Sequence, residues 1–175
     1  RRWLDRGRAC VPVSVNLSRY NIFYSSFINK YQDILREYEI SPKLVPLEIT
    51  ESVMSEDEVL LRNIIDELHS IGFSVLMDDF GTGYSSMTML GSMPIDVLKL
   101  DKSFVDDIGD SKGEKIIRSI IDLSRGLGIR LTAEGVETEE QYEFLRKMKC
   151  DEIQGYYFAK PMPGSDFQAL LNTEK

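Results

Sequence analysis

The chain has 175 residues, of which 42% are hydrophobic and 29% are charged, a composition that is ordinary for one soluble globular domain. Its formal net charge of −8 argues against a protein that binds duplex DNA or RNA, because such proteins normally present a basic face. One histidine, His69, and two distant cysteines, Cys10 and Cys150, argue against zinc chemistry and a Ser-His-Asp triad. Without a long apolar run or a signal peptide, we expect a cytoplasmic protein that does not insert directly into a membrane.

Strands and helices alternate along the whole chain. Residues 1–8 resemble the last turn of a helix that ends at Gly7. Short runs rich in β-branched residues predict strands at 11–18, 44–50, 73–79, 96–101, 129–134 and 152–158. Helical spacing of apolar residues predicts helices at 25–39, 55–71, 86–93, 112–127, 138–149 and 163–171. Ser55 with Glu58, and Thr138, are the expected helix caps.

Alternating strands and helices at this spacing indicate right-handed βα units around a parallel sheet. Two architectures fit, a doubly wound open sheet and a (β/α) barrel. The first strand is not followed by a glycine-rich dinucleotide loop, which weakens the first alternative. Polar residues at the carboxyl ends of the strands favour the second, because barrel enzymes build their sites there. These residues are Asn16, Glu48, Asp78, Lys99 with Asp101, Glu134 and Gln154. The predicted fold is therefore a TIM-type (β/α) barrel, incomplete here, with about six parallel strands.

The segment at 77–86 (MDDFGTGYSS) is the most informative stretch of the chain. An apolar strand leads into two adjacent carboxylates, Asp78 and Asp79, and then into a glycine-punctuated turn. Two acids at the end of a buried strand are costly unless a positive charge lies beside them, and a metal ion is the simplest candidate. The alternative is a solvated Asp-Asp turn, since turns favour Asp and Gly.

Oxygen ligands from neighbouring strands suit Mg²⁺ or Mn²⁺ better than zinc or copper. Asn16, Glu48 and Asp78 are the candidate ligands of a first ion, and Asp79 of a second one. Two such ions about 4 Å apart stabilise an in-line displacement at phosphorus and supply hydroxide at neutral pH.

The remaining polar residues at the strand ends are also candidates for the site. Lys99 is expected to orient a water molecule or offset phosphoryl charge, although an ion pair with Asp101 is the structural alternative. Glu134 is a candidate base or further ligand. Gln154 fits either the site or a satisfied buried amide. Glu51 is positioned to hydrogen-bond the turn at 81–86 and hold it over the site.

Six motifs in order resemble the motif series of EAL domains over nearly the whole chain. They are VSVNLS at 13–18, LEITES at 47–52, DDFGTGYSS at 78–86, LKLDKSFV at 98–105, TAEGVET at 132–138 and QGYYFAKPM at 154–162. The resemblance implies a modified (β/α)₈ barrel that hydrolyses cyclic di-GMP to linear pGpG with Mg²⁺ or Mn²⁺.

The resemblance also assigns roles to individual residues. It implies that Asn16, Glu48 and Asp78 are first-metal ligands, Asp79 a second-metal ligand, Glu134 the catalytic glutamate and Lys99 the lysine near the attacking water. Gln154 and Asp101 match further site positions, and Glu51 matches the glutamate that steadies the loop after the third strand here.

One departure from the family pattern affects these expectations. The Glu-Ala-Leu motif that names the family does not occur in the 175 residues. We therefore expect residues 1–175 to be a partial domain without its N-terminal strands, one metal ligand and one phosphate contact. The two edges of a six-stranded remnant would then be unpaired, which favours a homodimer that covers them.

Three functions remain open at this point. The first is a cyclic di-GMP phosphodiesterase, impaired in the chain as given and fused to sensor or cyclase domains in its parent protein. The second is a non-catalytic cyclic di-GMP receptor or regulatory module. The third, an unrelated Mg²⁺ barrel enzyme, explains the acids at the strand ends but not the series of motifs.

Overall fold

Six parallel strands form one continuous sheet in which every strand pairs with its neighbours in the sequence. The structure, a computed structural model, describes residues 1–7, 10–23, 26–54, 57–83 and 87–173. The strands are β1 (Val15–Asn16), β2 (Leu47–Thr50), β3 (Val75–Phe80), β4 (Val97–Leu100), β5 (Arg130–Ala133) and β6 (Glu152–Ile153). The predicted set of about six parallel strands alternating with helices is confirmed, and β1 and β6 lie at the two edges.

Helices connect the strands and cover one face of the sheet. They are α1 (Arg2–Asp5), α2 (Arg19–Ile22), α3 (Phe27–Glu37), α4 (Glu51–Met54), α5 (Glu58–Ile71), α6 (Met87–Ser92), α7 (Lys102–Asp106), α8 (Ser111–Leu127), α9 (Glu139–Lys147) and α10 (Gly164–Thr173), with a 3₁₀ turn at Pro42–Leu44. None of the described helices is both long enough and apolar enough to cross a membrane.

The two faces of the strands differ because side chains alternate along a strand. On β2, Leu47 and Ile49 are fully buried in the hydrophobic core, and on β4, Leu98 and Leu100 are buried in the same cluster. Helix α5 contributes Leu61, Ile65 and Leu68 to that core, at the spacing of one helical face. The residues between them on the strands, among them Glu48 and Lys99, therefore face the other side of the sheet.

The two edge strands are shorter than predicted. Only Val15–Asn16 of the segment 11–18 forms a strand, although the amides of Val13 and Leu17 also donate to Leu44 and Glu48. The prediction of a strand as far as residue 158 is wrong, because β6 ends at Ile153. A side chain at Gly155 would collide with the Val136 backbone, so this glycine allows the two segments to meet.

Helix caps explain where two of the helices begin. The prediction that α5 starts at Ser55 is wrong; its N-cap is Asp57, whose Oδ1 accepts a hydrogen bond from the Leu60 amide at 2.9 Å. Ser55 and Ser86, both expected near helix starts, lie outside the described residues. The cap at Thr138 is confirmed, and Gln141 completes its capping box.

Candidate active site

Lys99 lies at the centre of the polar side of the sheet. Its Nζ is 2.8 Å from Glu134 Oε1, 2.9 Å from Asp78 Oδ1 and 3.0 Å from Glu48 Oε1. The three carboxylates come from β2, β3 and the residue after β5, so four neighbouring segments meet at one ammonium group. The lysine is buried, with 6% of its surface exposed, and so is Glu48.

Burial and charge shift the pKa values of this cluster. Burial lowers the pKa of Lys99, but its hydrogen bonds with Glu134 and Asp78 outweigh that effect, so its pKa is raised and it stays protonated. Burial raises the pKa of Glu134, and the hydrogen bond from Lys99 opposes this only in part. Burial and the neighbouring charge of Asp78 raise the pKa of Asp79. Three carboxylates thus share one cation and Asp79 lies beside two of them, which leaves an excess of negative charge.

The backbone at the end of β3 brings two consecutive acids to the same site. Consecutive side chains of a regular strand point to opposite faces, so Asp78 and Asp79 would normally be separated. The register between β3 and β4 shifts between Met77 and Phe80, and Asp79 adopts a left-handed conformation with φ of 57°. As a result, one oxygen from each of Asp78, Asp79 and Glu134 lies within 4.8 Å of the other two.

Glu51, at the start of α4, holds the turn that follows these acids. Its Oε2 accepts hydrogen bonds from the amides of Gly81 at 2.9 Å and Gly83 at 3.1 Å. Gly81 has φ of 94° and lies so close to the ring of Phe104 that a β-carbon would overlap it. The buried carboxylate therefore fixes the described part of the turn beside Asp78 and Asp79.

Three of the residues expected in the site lie at the carboxyl ends of the strands, as predicted, but outside the Lys99 cluster. Asn16 is paired in register with Glu48, and its side chain is exposed. Gln154 follows β6 directly and is exposed, so the alternative of a buried amide is wrong. Asp101 caps α7 and accepts hydrogen bonds from the Ser103 hydroxyl and amide, and these bonds lower its pKa.

The structure does not contain the alternative ion pair between Lys99 and Asp101. Among the described residues, the carboxylates within salt-bridge distance of Lys99 are Glu48, Asp78 and Glu134. The side chain of Asp101 instead accepts a hydrogen bond from the amide of Ser103, two residues later in the chain. Spacing along one strand suggested the wrong partner, because the neighbouring strands bring other carboxylates closer.

A cavity of about 700 Å³ lies beside β6, at the edge that carries Gln154. Tyr156, Phe158 and Lys160 line it, and the Lys160 ammonium is 5.6 Å from the centre of the Tyr156 ring. Lys160 was not among the residues predicted from the sequence; a cation close to aromatic residues in the motif at 154–162 was the available signal. The ring of Tyr157 stacks on the ring of Tyr142, with 5.3 Å between the two ring centres.

The fold and the acidic cluster together define a class of protein. The chain is a parallel β/α protein with an all-oxygen acidic cluster and one buried cation at the carboxyl ends of its strands. Hard divalent cations prefer such donors. The excess of carboxylates over ammonium groups fits a bound cation of this kind, so the residues present suit the metal that was predicted.

Comparisons with known proteins give the family. The family model described as "EAL domain" matches residues 1–161, so the chain belongs to the EAL domain family. The chain is 36% identical, over 98% of its length, to the bifunctional diguanylate cyclase/cyclic di-GMP phosphodiesterase MucR of Pseudomonas aeruginosa, and covers 25% of that protein. It therefore spans about a quarter of the length of this curated relative.

Solved structures confirm the fold. The EAL domain of Mycobacterium smegmatis DcpA superimposes with a TM-score of 0.92 at 36% identity, over 99% of this chain and 79% of that one. BlrP1 of Klebsiella pneumoniae, solved as a manganese and cyclic di-GMP complex, gives a TM-score of 0.79 at 28% identity, over 86% of this chain and 39% of that one. The predicted TIM-barrel-like class is therefore confirmed.

Proposed function

We propose that this chain carries the catalytic residues of a cyclic di-GMP phosphodiesterase, which hydrolyses one phosphodiester to give linear pGpG. The observation that carries this proposal is the cluster of Glu48, Asp78, Asp79 and Glu134 around Lys99 in a member of the EAL domain family. A hydrolase of this kind must assemble anionic metal ligands, a base and a cation at one place, and these residues supply all three.

The proposed cofactor is Mg²⁺ or Mn²⁺. Asn16, Glu48 and Asp78 would hold a first ion, and Asp79 a second one; the close approach of Asp78, Asp79 and Glu134 supports an ion at this position. When bound, such ions lower the pKa of water and offset charge on phosphoryl oxygens. All donors are oxygens, as these hard ions require.

The chain's own side chains would then divide the remaining work. Glu134 is the proposed general base, because burial raises its pKa toward the range in which a carboxylate accepts a proton effectively. Lys99 remains charged and would offset the negative charge that develops on the phosphate. Glu51 keeps the turn at Gly81 and Gly83 beside the acids, while Asp101 and Gln154 are proposed to border the substrate.

The absent Glu-Ala-Leu motif favours a second candidate function. Since these 175 residues lack that motif, we propose that they bind divalent ions weakly and hydrolyse cyclic di-GMP slowly or not at all when isolated. Hard-ion affinity follows the number of charged ligands. A chain that binds cyclic di-GMP without hydrolysing it would be a receptor module.

Turnover and binding separate these candidates. The chain would be incubated with cyclic di-GMP and Mg²⁺ or Mn²⁺, with pGpG measured by chromatography and binding by calorimetry. We expect slow, metal-dependent release of pGpG, and a decrease of about 10²–10⁴-fold in Glu134→Gln. Glu139→Gln on the exposed start of α9 is the matched control and should leave turnover unchanged.

If the unmodified chain binds cyclic di-GMP but does not hydrolyse it, the receptor function is supported. Turnover that does not require a divalent ion would contradict the proposed chemistry, and so would an inability to bind cyclic di-GMP at all.

We further propose that the chain forms a homodimer through its sheet edges, that its parent protein carries sensor or cyclase domains, and that it works in the cytoplasm. Val11, Val13 and Val15 along the β1 edge expose 37%, 55% and 36% of their surface, which supports association there. The two cysteines form no disulfide, as in a reducing compartment. Sedimentation should show twice the chain mass, and Val13→Lys should shift the species to monomer.

A further inference from the structure

The loop that carries Glu134 joins the end of β5 to the start of α9. This segment, residues 134–138, is called the Glu134 loop, and it is neither helix nor strand. Its backbone is attached to neighbouring segments at two points, because the Glu134 amide donates to the Leu100 carbonyl at 3.1 Å and the Val136 amide donates to the Gln154 carbonyl at 3.1 Å. Side chains of α7 and α9 hold the rest of the loop.

The side chain of Lys102, the first residue of α7, lies against the backbone of this loop at Gly135. A β-carbon at Gly135 would overlap the Cβ, Cγ and Cδ atoms of Lys102, and this glycine has a left-handed φ of 70°. Glycine is the residue that allows such a close approach to its backbone in this conformation. The aliphatic part of Lys102 therefore limits where the residue directly after Glu134 can lie.

The ammonium group of Lys102 also reaches the Glu134 loop. Its Nζ lies 2.7 Å from Asp106 Oδ1, one turn further along α7, and 3.2 Å from Glu137 Oε1 in the loop. The side chains of Lys102 and Glu137 are 43% and 47% exposed, so this ion pair contributes little to the free energy of unfolding. Removing the ion pair should therefore leave the fold intact while it releases the loop from α7.

Gln141 of α9 makes a second connection between the same loop and α7. Its Oε1 accepts hydrogen bonds from the amides of Glu137 at 2.8 Å and Thr138 at 3.1 Å. Its Nε2 donates to the carbonyl of Val105, a fully buried residue of α7, at 3.2 Å. The capping box of α9 thus also fixes the end of the Glu134 loop relative to α7.

We infer that Lys102 and Gln141 are positioning residues for Glu134, which hold its loop on α7 so that the Glu134 carboxylate stays beside Lys99. Glu134 Oε1 lies 2.8 Å from Lys99 Nζ, whereas Lys102 pairs with other carboxylates and acts on the site through the loop. This role rests on the proposed function, in which Glu134 is the general base. The position of such a group matters, because a displacement of about 1 Å can lower a rate by about 10²-fold.

The surroundings of the Glu134 carboxylate can be followed by NMR through the signal of its side-chain carboxyl carbon, without divalent ions or substrate. In Lys102→Met and in Glu137→Gln this signal should shift in the same direction, because both changes release the loop from α7. A purely electrostatic effect would shift it in opposite directions, since one variant removes a positive charge and the other a negative one. Lys102→Arg keeps a cation on an aliphatic stem and should restore the signal. Lys147→Met, which removes an exposed lysine from α9, is the matched control and should leave the signal unchanged.

The second connection is tested with Gln141→Glu. This change keeps an acceptor for the loop amides but removes the donor to the Val105 carbonyl. The Glu134 signal should shift in the same direction as in Glu137→Gln, although the two variants change the charge in opposite senses. If circular dichroism showed that Lys102→Met does not fold, this pair of variants would carry the same test with Lys102 still in place.

Turnover of cyclic di-GMP with Mn²⁺ gives a second measure of the same role. Lys102→Met should lower kcat by about 10–10²-fold and leave KM within about twofold, because the lysine acts on the position of the base and not on substrate binding. Lys102→Arg should recover most of kcat, and Lys147→Met should leave it unchanged.

An unchanged Glu134 signal in both Lys102→Met and Glu137→Gln would overturn the inference, and so would shifts in opposite directions or an equal shift in Lys147→Met. A higher KM with unchanged kcat in Lys102→Met would overturn it as well, since the lysine would then act on substrate binding. The carbon signal needs no turnover. Absence of hydrolysis in the unmodified chain would therefore count against the proposed enzyme activity, while the signal would still decide whether Lys102 positions Glu134.

Discussion

The two ends of the parallel sheet use acidic residues in different ways. At the amino end, Asp96 Oδ2 accepts a hydrogen bond from the Val75 amide at 2.7 Å and lies 2.9 Å from His69 Nε2. Asp151 Oδ2 accepts a hydrogen bond from the Leu131 amide at 2.9 Å. Each acid there has its own donors. At the carboxyl end, Glu48, Asp78 and Glu134 all depend on the single ammonium group of Lys99.

This difference separates structural acids from functional ones. An acid that accepts a strand amide satisfies a donor that would otherwise be unpaired, so it stabilises the fold without needing another ion. Acids that converge from several strands on one cation repel one another, and folding gains little from bringing them together. Under the proposed function, the acids at the carboxyl end would hold a bound cation, whereas the acids at the amino end stabilise the fold.

The largest expected effect is that of removing the shared cation. Lys99→Met should lower the free energy of unfolding by about 3–5 kcal/mol, because it leaves the buried carboxylate of Glu48 and the part-buried carboxylates of Asp78 and Glu134 without their shared partner. Urea denaturation in the absence of divalent ions measures this loss. The exposed Lys147→Met on α9 is the control and should change stability by less than about 0.5 kcal/mol. An unchanged or increased stability in Lys99→Met would show that the cluster does not depend on this lysine.

At the amino end, the same experiment should give a smaller loss. Asp96→Ala removes the acceptor for the Val75 amide and the partner of His69, which should cost about 1–3 kcal/mol. Asp66→Ala, an exposed acid on α5, should have little effect. If Asp96→Ala also changed the response to Mg²⁺, the proposed division between the two ends would be incorrect.

Divalent ions should stabilise the carboxyl end selectively. An ion present at ten times its dissociation constant should raise the free energy of unfolding by about 1.4 kcal/mol. Thermal unfolding with Mg²⁺ and after chelation measures the shift. Asp78→Asn should remove most of it, whereas Asp96→Asn should keep it. A similar response in both variants would mean that the ion binds elsewhere.

The smallest expected effect concerns Asp101, an acid at the carboxyl end that has local donors. Its pKa is lowered, so its charge contributes stability above the ordinary value of 3.8 and this contribution is lost as the pH falls through the folded-state pKa. Asp101→Asn keeps a good cap for α7 but removes the charge, which should cost about 0.3–1 kcal/mol at neutral pH.

Denaturation of both proteins at several pH values checks this prediction. The difference in stability should vanish in acid. A difference that persists at low pH would mean that Asp101 acts through something other than its charge.

The sequence determined which residues reach the carboxyl end of the sheet. Strand and helix periods, together with glycines and caps such as Thr138, predicted six βα units, and parallel strands necessarily bring their carboxyl ends to one edge. That rule placed Glu48, Asp78, Lys99 and Glu134 together without any knowledge of contacts. The family motifs made the same assignment independently, and the EAL domain model confirmed the family.

Only the tertiary structure decided which side chains meet. Spacing along β4 suggested Asp101 as an alternative partner for Lys99, but the neighbouring strands bring Asp78 and Glu134 closer to its ammonium group. The alternation of side chains along a strand does not predict the left-handed backbone at Asp79 or the register shift beside it. These two features nevertheless bring two consecutive acids to the same site. Just after β6 ends at Ile153, Gly155 lies against the backbone of Val136, a contact that no local pattern predicts. Local patterns set the face of each residue, whereas pairing depends on how separate strands are aligned against each other.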